Sequence, residues 1–179
     1  RPLGVHPAGR EQRHRLGLSK EEMGAVRFGE MQRVAQALDL SSLNVLDLPD
    51  GELANLSPLD IEDVVMQHLV RLQPDVVVTY AVHGVSGHPD HLVTHAVVKR
   101  AVCSAVSTNE VPVRRLAFFT LRDDDTPRPD HLQSSPNDAI DCVVPVDADT
   151  LSTAQAALQC YETYAPVIEE HRPLETVRN

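Results

Sequence analysis

The run Asp75–Tyr80, DVVVTY, limits the fold more than any other part of the chain. It is short, nearly all apolar and rich in β-branched residues, so it reads as a strand buried on both faces. Helical apolar stripes flank it. Before it come Ile61, Val64, Val65, Leu69 and Leu72, opened by Ser57-Pro58 and closed by Pro74. A Ser at the N-cap followed by Pro at the first helical position is a strong helix start. After it come Leu92, Val93, Ala96, Val97 and the run Ala101–Val106. A buried strand between two amphipathic helices implies a parallel sheet with crossover helices.

The rest of the chain extends this pattern. Ser19 and Glu22 have the spacing of a capping box, in which each end satisfies a backbone N–H of the other. Met23, Val26, Met31, Val34, Ala35 and Leu38 follow at helical spacing, with a loose register over Arg27–Glu30 that faces those residues away from core. Strands are expected at Leu43–Leu48, Arg114–Leu121 and Ile140–Val146, and a last helix from about Leu151 to Tyr164. The polar, Pro-rich segment 122–139 reads as loop, with a lid and a disordered stretch both open. The alternation predicts an α/β fold: a three-layer, mainly parallel, Rossmann-like sheet with helices on both faces. The 179 residues fit a single domain, 1–179, with 1–18 as a loop or flexible segment. The chain opens Arg1-Pro2-Leu3-Gly4, without Met or a first strand, and is expected to start inside a longer one.

Charge and cysteines exclude several classes. A net charge of -10 leaves no basic face for nucleic acid and no attraction to anionic membranes. No apolar run approaches the roughly 18 residues of a membrane span. Cys103, Cys142 and Cys160 are odd in number and widely spaced. They suggest neither a disulfide framework nor a CxxC metal site, and a reducing, cytoplasmic location is expected. Oligomeric state is not legible.

Chemistry is concentrated directly after DVVVTY. Thr79–His95 carries four of the nine histidines, His83, His88, His91 and His95, with Asp90, two glycines and Pro89. Loops at the carboxyl ends of parallel strands form the ligand crevice in open α/β sheets. His88-Pro89-Asp90-His91 places two imidazoles and a carboxylate at a strand-to-helix turn, with Asp90 the expected N-cap of the helix. Imidazole suits zinc and related metals. His95, four residues after His91, lies on the same helical face, so these two form a candidate two-histidine clamp. His83 and His95 otherwise read as surface or core histidines, or as supporting contacts. His6, His14, His68, His131 and His171 read as structural or solvent-exposed.

The stretch VVVTYAVHGVSGHPDHLVTHAVVKRAV resembles the PIG-L/LmbE-type deacetylases, whose signature is a strand, a Gly-containing loop and G-H-P-D-H opening a helix. Gly87–His91 matches that signature in full. Arg27-Phe28-Gly29-Glu30 resembles the family's R-x-x-E, Asp50-Gly51-Glu52-Leu53 its D-G-x-L turn, and Ala157–Thr163 its late A-L-x-x-[HY]-x-[ST]-Q helix, with Tyr164 in place of Gln. The likeness covers roughly residues 19–165. It implies a zinc-dependent hydrolase that removes an acetyl group from a small N-acetylglucosamine-type amide. His91 is then a metal ligand, and a water activated by the metal attacks the carbonyl. His88, as a cationic imidazole, stabilises the oxyanion, and Asp90 orients His88 or its neighbour. Arg27 and Asp50 contact substrate. The family's A-H-P-D-D motif, with two further ligands and the general base, has no counterpart here. Gly4–Gly9, GVHPAG, has a His-Pro followed by Ala8 and is read as coincidence. The chain alone is therefore expected to bind zinc poorly and to catalyse little. Alternatives are a non-catalytic sugar-binding or assembly protein of the same fold, and a different metal hydrolase built on His88, His91 and His95. A nucleotide-binding module is disfavoured, since no Gly-rich phosphate loop is present.

Overall fold

The computed structural model describes residues 17–123 and 129–174. The expectations for Gly4–Gly9, for His6 and His14, for most of the 1–18 loop and for residues 124–128 lie outside these. The chain gathers into two compact units, one spanning Asp47–Cys142 and one drawing on Arg1–Leu46 and Val143–Asn179.

The Asp47–Cys142 unit holds α2 (Pro58–Leu72), β1 (Val76–Tyr80), α3 (Pro89–Ser107), β2 (Arg115–Phe119), β3 (Leu121–Arg122) and β4 (Ser134–Ser135). β1 pairs with β2 in parallel, from Val76 opposite Arg115 to Tyr80 opposite Phe119. This is the α/β, parallel-strand class expected, in a small sheet. Leu69 of α2, Ala101, Val102 and Ala105 of α3 and Val111 form the core, with Val77 of β1 and Leu116 of β2 against it. Ala101 and Ala105 are fully buried, and their small side chains let α3 approach its neighbours closely. Gln73 closes α2 in the left-handed region, φ 47°, and Pro74 prevents its continuation.

Only one face of β1 is buried. Thr79 is buried, whereas Val76 and Val78 are 52% and 62% exposed. The expectation of burial on both faces is corrected, because side chains alternate along a strand and the helices here cover one side. Leu43–Leu48 and Ile140–Val146 form no ladder among the described residues. Their β-branched content is real, but a strand exists only through its pairing partner. The strand expected over Arg114–Leu121 breaks at Thr120. Leu121–Arg122 pairs instead with Ser134–Ser135, so part of the polar 122–139 segment is built into the fold.

The second unit contains α1 (Lys20–Ala37), α4 (Ala148–Gln159) and α5 (Ala165–His171). The capping box forms: Glu22 N–H donates to Ser19 Oγ at 3.1 Å, and Ser19 N–H donates to Glu22 Oε2 at 2.8 Å. Asp147 caps α4 with its side chain alone, accepting from Thr150 N–H at 2.8 Å. The helix expected over Leu151–Tyr164 starts at Ala148 and ends at Gln159, and Cys160–Tyr164 is an interruption before α5.

That interruption is tied to α1. Glu30 is completely buried and accepts from Thr163 N–H at 2.7 Å and from Thr163 Oγ1 at 2.8 Å. Arg33 donates to the Cys160 carbonyl and to Glu162 Oε1. The Arg27 guanidinium lies 4.8 Å from the Tyr164 ring centre. Met23, Glu30 and Val34 share the buried stripe of α1 while Val26 is exposed, so the loose register hid a buried carboxylate.

Two outcomes are expected. Glu30→Ala strands the Thr163 N–H in the interior and costs about 1–3 kcal/mol, read from the midpoint of urea unfolding. The backbone and side-chain bonds to Ser19 hold the Glu22 carboxyl below its ordinary range. A lowered folded value means that the cap stabilises above the unfolded carboxylate range and is lost as pH falls through the folded value. Helicity should therefore decline on acidification, and Glu22→Gln should flatten that part of a circular-dichroism pH titration.

Candidate active site

β1 delivers the chain to a turn, Ala81–His88, that reverses into α3. Gly84, Val85 and Gly87 take the left-handed region there, at φ 67°, 60° and 69°. At Gly84 a Cβ would stand 3.0 Å from His91 Cβ and 3.1 Å from Leu92 Cδ2, so glycine is required by space as well as by φ. Val85 is β-branched, and its positive φ stores strain on the order of 1–3 kcal/mol. Both of its peptide groups are held. Its N–H donates to His83 Nδ1 at 3.1 Å, and its carbonyl accepts from Gln133 N–H at 2.6 Å.

His88 is the N-cap of α3. Its Nδ1 accepts from Asp90 N–H at 3.2 Å. A nitrogen that accepts carries no proton, so the neutral ring bears its hydrogen on Nε2. This corrects one expectation: the cap is His88 rather than Asp90.

His91 is held the other way. Its Nδ1 lies 3.0 Å from the Gly84 carbonyl and 2.9 Å from Ser86 Oγ. A carbonyl can only accept, so Nδ1 carries the hydrogen and Nε2 carries the lone pair. The ring stacks on Tyr80, with centroids 4.1 Å apart and planes 13° apart. Burial pushes the Tyr80 phenol up, which keeps this neighbour uncharged. His88 and His91, with ring centres 5.3 Å apart, thus present distal nitrogens of opposite character: a donor and a lone pair. The second is what a metal takes from histidine when a carbonyl holds the other nitrogen. Among the described residues no group of three His, Cys, Asp or Glu side chains is disposed to hold a metal; His91 is suited to be one ligand of such a set.

Asp90 meets His88 through its backbone N–H, while its carboxylate bonds backbone groups of another segment. Its two oxygens accept from Gly51 N–H at 2.7 Å and Leu53 N–H at 3.1 Å. The carboxylate of the G-H-P-D-H stretch therefore latches the D-G-x-L turn to the start of α3, two sequence motifs joined by charge-assisted bonds. Asp50 sits on the latched turn and is exposed. Arg27 belongs to the other unit, against Tyr164. His95 is buried, its Nδ1 donating to the Tyr80 carbonyl at 2.8 Å and its ring 4.9 Å from Phe118. It fastens α3 to the end of β1, which is a structural task.

Sequence reading missed Ser86, Gln133, Ser135 and Thr120. Ser86 had a local signal, a hydroxyl residue between two turn positions just before His88. The other three come from distant segments, and no short-range pattern announces them.

Asp90→Ala should free the Gly51 and Leu53 amides, with faster hydrogen exchange at those two positions while Thr79 in β1 keeps its protection. Gly84→Ala should cost stability, since both φ and the His91 contact oppose a Cβ; equilibrium unfolding checks it.

The profile of the PIG-L family, described as GlcNAc-PI de-N-acetylase, matches residues 5–102. A curated relative from Geodermatophilus obscurus, named 1D-myo-inositol 2-acetamido-2-deoxy-alpha-D-glucopyranoside deacetylase, is 32% identical over 101 residues, 48% of this chain and 34% of the relative. A relative of the same name from Thermomonospora curvata is 30% identical over 107 residues, 51% of this chain and 36% of the relative. The match thus spans about a third of the length of these relatives. The family profile covers more than half of the chain and includes the Gly87–His91 turn, and the chain belongs to the PIG-L family.

Proposed function

We propose that the chain serves a hydrolase that removes the acetyl group from an N-acetylglucosamine-type amide on a small-molecule conjugate. The observation that carries this reading is the opposite bonding of the two Nδ1 atoms at the G-H-P-D-H turn, His88 to the Asp90 N–H and His91 to the Gly84 carbonyl, which assigns Nε2–H to His88 and an Nε2 lone pair to His91. Hydrolysis of an amide needs a donor for the oxygen that gains charge and an electrophile or base near the attacking water. His88 supplies the donor as a neutral N–H, needing no proton transfer to act. His91 supplies a ligand nitrogen for zinc. When bound, zinc would supply a Lewis acid and an acidified water. Asp90 keeps the Asp50 turn beside the site through Gly51 and Leu53. On this reading the Asp50 carboxylate accepts from sugar hydroxyls. Membership of the family and the names of the two relatives support an acetylated amino-sugar conjugate as substrate. No described helix is long and apolar enough to cross a membrane.

The test is acetate release from N-acetylglucosaminyl-inositol by the full natural protein supplemented with zinc, with zinc content measured in parallel. Release is expected in the wild type. In His88→Ala, kcat should fall about 100–1000-fold with zinc retained, as for loss of an oxyanion donor. In His91→Ala, zinc and activity should be lost together. No acetate release from the wild type, with sugar binding intact, would overturn the hydrolase and leave a non-catalytic sugar-binding protein of this fold.

A further inference from the structure

We propose that His83 is a positioning residue for His91: it sets the backbone that decides which nitrogen of the His91 ring carries the proton. The two side chains are linked through the strained turn. His83 Nδ1 accepts from Val85 N–H at 3.1 Å, so the neutral His83 ring bears its hydrogen on Nε2. That Nε2–H faces two hydroxyls, Ser135 Oγ at 3.2 Å and Thr120 Oγ1 at 3.3 Å, which bond each other at 2.8 Å. Thr120 directly follows β2 and Ser135 lies in β4, so the ring is anchored to the sheet at one nitrogen and grips the turn with the other. On either side of the gripped Val85 stand the two groups that meet His91 Nδ1, the Gly84 carbonyl and Ser86 Oγ. The residue they flank is Val85, which has the least intrinsic tolerance of its φ of 60°. A β-branched residue holds such a conformation only while its surroundings over-determine it. His83 holds its N–H, and Gln133 holds its carbonyl.

The same arrangement excludes a Ser135 nucleophile activated by His83. The nitrogen facing the hydroxyls bears the hydrogen, so it cannot take one from Ser135. His83 is a clamp, not a base. Its importance for hydrolysis rests on the proposed role of His91, whereas the tautomer it imposes is measurable without substrate or metal.

The experiment is a long-range proton–nitrogen correlation spectrum of the histidine side chains in the metal-free protein, recorded above the ordinary imidazole pKa range. Wild type, His83→Ala, His83→Asn and Ser135→Ala are compared. An Asn side chain accepts from the backbone N–H two residues on, so it restores the grip on Val85 without the imidazole. The wild type and His83→Asn are expected to show His91 as the single Nδ1–H form. His83→Ala should lose that single form and show both tautomers, and Ser135→Ala should move the same way by a smaller amount. A His91 that stays wholly Nδ1–H in a folded His83→Ala would overturn the proposal. If His83→Ala does not fold, the remaining pair decides: an unchanged His91 in Ser135→Ala, or a mixed one in His83→Asn, overturns it equally. Inactivity of the wild type toward acetylated sugars bears on the hydrolase reading alone and leaves these outcomes as they stand.

Discussion

The Gly84 carbonyl lies 3.0 Å from His91 Nδ1, and the chemistry available at the end of β1 depends on that contact. A carbonyl accepts and never donates, so the contact is a bond only when Nδ1 holds the hydrogen. The lone pair is then left on Nε2. Bringing the carbonyl there takes a turn with consecutive left-handed residues, Gly84 and Val85, and a glycine whose missing Cβ leaves room for the His91 side chain. The ring itself is held flat against Tyr80. Backbone conformation, steric room and stacking thus converge on one nitrogen atom.

His88 and Asp90 divide the remaining work differently from what their types suggest. The imidazole caps the helix, a task more often done by a carboxylate or hydroxyl. The carboxylate reaches back across 39 residues to the Gly51 turn. The exchange has a physical logic. A cap drawn from His88 commits its Nδ1 and leaves a proton on the distal nitrogen, whereas a carboxylate cap would leave the His88 imidazole unassigned. Asp90, relieved of capping, satisfies two backbone donors that would otherwise need water. In the second unit Glu30 does similar service for Thr163, from a fully buried position. Both acidic residues stand in motifs that sequence alone suggests for chemistry, and both act on backbone N–H groups.

Much of this was legible in the sequence where local rules govern. The capping box at Ser19 and Glu22, the Ser57-Pro58 start and the strand Val76–Tyr80 follow from period, caps and turn residues. The histidine turn was legible as a site because Gly87–His91 is contiguous. The tautomers were not, because they depend on which backbone groups the turn presents. Leu43–Leu48 and Ile140–Val146 have strand composition, yet pairing is a property of two segments and composition reports only one. Thr120, Gln133 and Ser135 were invisible for the same reason: they meet the turn through the tertiary fold. Glu30 could have been found, since it lies seven residues after Met23 and four before Val34 on the buried stripe of α1.

The central claim is that two histidines of one short motif are locked in opposite tautomers by backbone groups. The most direct measurement is the side-chain nitrogen spectrum of His88 and His91 in the wild-type protein, free of metal and substrate. The account predicts the hydrogen on Nε2 of His88 and on Nδ1 of His91, each as a single form. The same tautomer on both rings, or free exchange between forms on either, would contradict it.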